Sequence, residues 1–284
     1  MKKLYLILLL SLIFITSCGQ KDDSNTEVSK GSSTREQFTE LKEIDQESIP
    51  KSVLNLEDNP ENRAFKSNKT NYQILKAGET VMSESTSETD LRYDGEVLLS
   101  DTLIHNEFDG PEPAKSTVYE RIEEVDGEKN IVAYVYYNEF GNDTYEKSMI
   151  LTELNNFGIK LTSDKNKDIP WTFDEKASDD KQDTYVKLLT DKVVEDQLNE
   201  QTTIVSDLEG YIKIIVQVSK ETKDIINIET EEKYSTYLTF GAELEGDMEK
   251  VDIEVSSKFN DLEFDNVEKI TIPQEFLDAP LSEY

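Results

Sequence analysis

The 284-residue chain is short of the side chains on which much catalysis and metal binding depend. It has one cysteine and one histidine. That leaves no material for an internal disulfide or a Cys/His metal cluster and, once the cysteine is accounted for, none for a Cys–His nucleophilic pair. One tryptophan is too few for the sugar platforms of a glycosidase. Positive charge is scarce too: 30 lysines and arginines stand against 61 acids, a formal net charge of −31. Such a surface offers no footprint for phosphate backbones, which excludes nucleic-acid binding, and an anionic membrane repels it. Neither a βαβ alternation nor a Gly-rich phosphate loop is visible, which excludes Rossmann-like and P-loop proteins. Apolar residues are not lacking: at 36% hydrophobic and 9% aromatic the chain can build a core, and a globular chain of this length hides roughly 70–75% of its unfolded surface.

The N-terminus carries an address. Met1-Lys2-Lys3 is a short positive start, and Leu4 to Ile15 is an apolar stretch interrupted by Ser11. At about a dozen residues it is shorter than the roughly 17–25 that span a bilayer, so it reads as a signal peptide over residues 1–17. Ile15-Thr16-Ser17-Cys18-Gly19 resembles the bacterial lipobox. That resemblance implies a diacylglycerol thioether-linked to Cys18, which becomes the new N-terminus and anchors the protein at the extracytoplasmic face of the cell membrane. Two acyl chains supply stable anchoring, which also explains how so acidic a body stays at a membrane. Residues 18–33 are almost wholly polar, with only Val28 apolar after the cysteine, and read as a disordered tether reaching roughly a couple of nanometres.

Residues 34–284 read as one domain. Ser33-Thr34-Arg35-Glu36 has capping-box spacing, and Phe38, Leu41 and Ile44 follow on one helical face, predicting a short helix that ends before Pro50. Tyr72 to Leu75 fits a strand or a helix end, and Thr80 to Asp90 reads as solvated. Strands are predicted at Glu96–His105, Ser116–Val125, Asn130–Asn138, Tyr145–Leu151 and Gly158–Thr162, each bounded by turn residues. Asn130–Asn138, apolar or aromatic on both faces, reads as a central strand with helices on one side. Over Asp180–Glu200 the period changes: Tyr185, Leu188, Leu189, Val193 and Leu198 share one face of a predicted helix. Strands resume at Tyr211–Ser219 and Val251–Ser257, the latter with Val251, Ile253 and Val255 in and Asp252, Glu254 and Ser256 out. Ile270-Thr271-Ile272-Pro273 is expected to close the sheet.

A lipobox, a leading helix, a strand meander, Trp171 ahead of a helix bearing Leu188-Leu189, a second meander and a final Val267–Glu275 segment together resemble lipoproteins of the LolA/LppX-like superfamily. The resemblance spans about Thr34 to Ala279. It implies an α+β fold, a curved antiparallel half-barrel with helices packed on or plugging its concave face, and a hollow that holds a hydrophobic or amphiphilic ligand.

The remaining constellations favour a non-enzymatic protein. His105 ends a predicted strand without a recognisable serine and carboxylate partner set. Asp164, Asn166, Asp168 and Glu175 imitate a calcium-loop spacing, but Ile169 stands where the loop needs glycine and Pro170 follows; a solvated turn is expected. Glu243, Glu245, Asp247 and Glu249 form an unspecific acidic cluster. With 61 acids, some close carboxylate pair is inevitable and carries no signal. No cofactor or metal is called for. Tyrosines on the strands suit an amphiphile pocket, and the expected lining is Val132, Tyr134, Tyr136, Tyr211, Ile215 and Tyr237. The alternative function is an acidic interaction module docking a basic protein of the envelope. A monomer is expected.

Overall fold

The computed structural model describes residues 38, 41–54, 56, 63–106, 113–125, 127–139, 142–150, 169–195, 205–239 and 248–281. Cys18, the tether, the strand predicted at Gly158–Thr162, Asp164–Asp168 and Glu243–Asp247 lie outside them.

The strands are β1 (Leu41–Glu43), β2 (Phe65–Ala77), β3 (Thr80–Tyr93), β4 (Val97–Asn106), β5 (Ala114–Val125), β6 (Glu128–Glu139), β7 (Asn142–Ile150), β8 (Thr172–Asp174), β9 (Gln182–Thr190), β10 (Val205–Ser219), β11 (Ile225–Thr239) and β12 (Met248–Phe264). Two one-turn helices are labelled α1 (Lys51–Leu54) and α2 (Gln274–Leu277). Each begins directly after a proline, Pro50 or Pro273, whose carbonyl accepts the first helical bonds; a proline's missing N–H costs nothing at a helix start.

All strands join one antiparallel sheet in the order β1-β8-β9-β10-β11-β12-β2-β3-β4-β5-β6-β7. It consists of two meanders, β2 to β7 and β8 to β12, sewn together where β12 pairs with β2. The sheet is not closed: β1 and β7 are its two edges. The β7 edge is blunted by the C-terminal segment, where Lys147 N–H donates to the Pro280 carbonyl at 3.0 Å and Lys147 bridges Leu281. Covering an edge this way removes a template for unwanted pairing.

Residues alternate between two faces with period two. On β10 that period puts Ile212, Ile214, Val216 and Val218 on one face, all almost wholly buried. Following the register across neighbours, the same face carries Tyr185 and Leu189 of β9, Ile228 and Tyr234 of β11, Val251, Ile253, Val255 and Phe259 of β12, Phe65 and Leu75 of β2, Tyr93 of β3 and Leu98 of β4. These form one contiguous cluster together with Ile49, Val53 and Leu56 of the α1 region. We call this the core face. Burying one such Ile or Val contributes roughly 1.5–3 kcal/mol.

The expected antiparallel sheet is present, but the fold is mostly β with few helices among the described residues, so the α+β expectation holds only in part. Over the described part of Asp180–Glu200 the predicted helix gives way to strand β9, with residues 192–195 helical after it; residues 196–200, Leu198 among them, lie outside the described residues. Thr184 and Val186 are β-branched, and pairing with β8 on one side and β10 on the other outweighs a periodicity that fits either state. Of the short helix predicted to start at Ser33, residues 33–37, 39 and 40 lie outside the described residues; further on, Leu41 lies in edge strand β1 and a 3-10 turn at Gln46–Ser48 stands where the helix was expected to run on towards Pro50. Thr80–Asp90 belongs to β3 rather than to a solvated loop. Ile270–Pro273 is not a strand; the Ile270 N–H goes to the Asp94 carboxylate at 2.7 Å instead of a ladder. Asn130–Asn138 lies within β6, next to the β7 edge rather than central. The predicted alternation of Val251, Ile253 and Val255 against Asp252, Glu254 and Ser256 is what β12 displays.

Candidate functional site: a polar band on the core face

The core face is not apolar throughout. Starting from Ile212 on β10, one cross-strand row runs through Glu232 on β11, Val255 on β12, Gln73 on β2, Ser85 on β3 and Asn106 on β4. The adjacent row runs Ile214, Thr230, Ser257, Asn71, Ser87 and Ile104. On one side of this band lie Tyr234, Ile253 and Leu75; on the other lie Ile228, Phe259 and Lys69. A polar patch is thus framed by mostly apolar side chains of the same face, with Lys69 the exception.

Burial makes the patch chemically unusual. Glu232 is 4% exposed and Thr230 3%, and Gln73, Ser83, Ser85 and Ser257 are buried as well. Ser257 Oγ donates to Asn71 Oδ1 at 2.6 Å. The Oγ1 of Thr230 and the Oε1 of Glu232, however, have no hydrogen-bond partner. A buried polar group left unbonded costs about 1–3 kcal/mol, so such atoms call for an explanation.

The electrostatics follow from the same burial. Desolvation pushes the Glu232 carboxyl up to about 7, with the nearby Lys69 ammonium pulling the other way. Lys69, half-buried two cross-strand rows along the same face with its Nζ 5.2 Å from the Phe259 ring centroid, is pushed down to about 8 by desolvation and partly restored by Glu232. Burial, with Glu232 adding to it, raises the Tyr234 phenol. Elsewhere on the same face Glu120 of β5 lies between Leu98 and Ala133, and burial alone pushes its carboxyl up to about 7. Lys187, 3% exposed, sets its ammonium 5.1 Å from the Trp171 ring.

The six residues expected to line a pocket do not face the polar band. Val132, Tyr134, Tyr136, Tyr211, Ile215 and Tyr237 all share a face, but it is the one opposite the core face, and the strand order parts them into two groups, β6 against β10 and β11. Val132 and Tyr134 are buried under the C-terminal segment in a second cluster with Ile272 and Phe276. There Phe276 of α2 stands edge-on to Tyr119 and Tyr145, at 4.9 and 5.1 Å between centroids. Tyr134 donates to Glu123 and accepts from Arg121 at 3.2 Å. Burial opposes the Glu123 charge, but the bonds from Tyr134 and Arg121 hold its carboxyl below the usual range. Tyr211 meets Phe38 edge-on at 5.0 Å and donates to Glu231, its phenol pushed up to about 12 by burial and then by that bond. Segments lie on both faces of the sheet, so aromatic content did not reveal which face is the core.

No family model and no curated protein matches this chain. Among solved structures it is similar to the crystal structure of a beta-barrel-like protein of a domain of unknown function, DUF1849, from Brucella abortus. The identity is 10%, the match covers 72% of this chain and 98% of the other, and the TM-score is 0.23.

His105 is exposed near the end of β4. Glu175, the last position of the imitated calcium loop, sits in the β8–β9 turn and pairs with Lys42 of β1. Sequence reasoning missed Lys69, Gln73, Thr230 and Glu232. Their only signal is polar residues at period two within strands whose neighbours are apolar.

Proposed function

We propose that the protein is a lipid-anchored component of the bacterial cell envelope that binds an amphiphile on its core face and does no covalent chemistry. The observation that carries the reading is the polar band within the apolar core, with Thr230 Oγ1 and Glu232 Oε1 buried and unpartnered. An amphiphile matches both halves of that surface, its head taking the unfilled hydrogen bonds and its chain taking the Ile212 and Ile214 side. The signal-like Leu4–Ile15 stretch and the lipobox-like Ile15–Gly19 support anchoring through Cys18. The LolA/LppX-like resemblance agrees with a ligand-holding sheet and departs from this fold in its helices. Docking of a basic partner ranks second, because acids on the outer face of the β11–β12–β2 region already meet lysines: Glu229 with Lys258, Glu231 with Lys233, and Glu263 with Lys66.

Mass spectrometry of the full-length chain, purified from membranes in mild detergent, tests both parts. The mature protein should begin at Cys18 and carry a diacylglyceryl mass that Cys18→Ala abolishes. Under native conditions it should also carry a non-covalent mass that organic solvent extracts. An unmodified Cys18 refutes the anchor; a clean unliganded mass after incubation with envelope lipids refutes the binding reading.

A further inference from the structure

We propose that the polar band selects an uncharged polyol head, of the monoacylglycerol or diacylglycerol class, over carboxylate, phosphate or ammonium heads. The inference rests on the amphiphile reading and adds the ligand class.

The first argument is hydrogen-bond inventory. Thr230 and Glu232 lie two residues apart on one face of β11, so their side chains are about 7 Å apart along the strand. Both have an unfilled oxygen. The Glu232 oxygen needs a donor whenever the carboxyl is ionised, and the Thr230 hydroxyl both donates and accepts. A head with several hydroxyls offers a donor to each and an acceptor to Thr230. A single carboxylate offers no donor at all.

The second argument is charge. Lys69 of β2 and Glu232 of β11 face the same band and sense one another. Their net charge is zero whether the proton sits on the amine or on the carboxyl. An anionic head would add a charge against Glu232, and an ammonium head would add one against Lys69 and against Lys187, which stands one strand beyond Ile214 with its ammonium at the Trp171 ring. Either leaves an unbalanced charge where water is excluded, which is strongly unfavourable. An uncharged polyol adds none. The third argument is position: Ile212 and Ile214 flank Glu232 and Thr230 on the neighbouring strand, so an acyl chain leaving the head meets apolar side chains at once.

The test is competition. The full-length chain in detergent is given an equimolar mixture of 1-monooleoylglycerol, oleic acid and oleylamine, and the bound masses are counted by native mass spectrometry. The monooleoylglycerol adduct should exceed each of the others by about tenfold, the effect of about 1.4 kcal/mol. In Thr230→Val and Glu232→Gln, with folding checked by circular dichroism, the excess should fall to within about threefold while oleoyl adducts persist. Equal binding of the three lipids by the wild type, as when an ordered water serves these atoms, overturns the head-group assignment alone; so does an unchanged excess in the Thr230→Val protein. Absence of any adduct overturns the amphiphile reading as well.

Discussion

Replacing Thr230 with valine should make the ligand-free protein more stable. Valine has the same branched shape and suits a strand at least as well, so the substitution removes the hydroxyl and little else. Thr230 is 3% exposed and its Oγ1 has no partner, so folding strips the hydroxyl of water without replacing the lost bond. Mutational experience puts that penalty at about 1–3 kcal/mol. Relieving it should raise the unfolding free energy by that amount. For a chain of this size it should raise the melting temperature by about 2–4 °C per kcal/mol. The assay is urea and thermal unfolding of the delipidated full-length chain. Thr184→Val is the control: Thr184 is fully buried but its Oγ1 donates to the Ala177 carbonyl at 2.9 Å, so its loss should cost about 1–2 kcal/mol. A destabilised Thr230→Val protein, or one indistinguishable from Thr184→Val, means that the Thr230 hydroxyl is bonded and removes the ground for a ligand-facing band.

Glu120 gives a pH prediction. Burial keeps its carboxyl protonated in the folded state up to about 7, against the ordinary 4.5, so the folded protein binds more protons than the unfolded chain between those values. Stability therefore falls as pH rises through that window, by about 3 kcal/mol from this group. Glu120→Gln should match the wild type near pH 4.5 and exceed it by that amount near pH 8 in urea unfolding; a difference that is the same at both pH values refutes the assignment. Phe276→Ala should empty the ring cluster with Tyr119 and Tyr145, costing about 3 kcal/mol, and should speed hydrogen exchange at the Lys147 amide that the C-terminal segment now protects; unchanged exchange there separates the segment from the cluster. Gly210→Ala places a Cβ 2.2 Å from the Lys233 carbonyl oxygen at φ +150°. Denaturant unfolding should show a loss of more than about 2 kcal/mol, and a neutral result means that β10 and β11 do not approach so closely.

Where the sequence could be read and where it could not follow from one physical cause. Strands β4 to β7 were legible because segments rich in Val, Ile, Tyr and Leu lie between turn residues, and β10 and β12 because their apolar residues also recur at period two. β9 was not, because Tyr185, Leu188 and Leu189 fit a helical stripe as well as an alternating strand, and the choice is made by hydrogen bonds to β8 and β10 that no local pattern records. The deeper failure lies in β2 and β3. Their inward positions include Lys69, Asn71, Gln73, Ser83, Ser85 and Ser87, so both faces are polar and the alternation that signals a strand vanishes. Over Thr230 and Glu232 in β11 the same thing happens among apolar neighbours. The stretch that reads as solvated loop is therefore the stretch that lines the polar band. A sequence whose local pattern conflicts with its structure is expected to do so where function rather than stability chose the residues. Here the conflict coincides with Thr230 and Glu232, two of the buried side chains with unpartnered polar atoms. Fold legibility and functional interest run in opposite directions along this chain: Tyr134 and Tyr136 of β6 were conspicuous and pack under α2, while Ser85 and Gln73 were inconspicuous and face the candidate site.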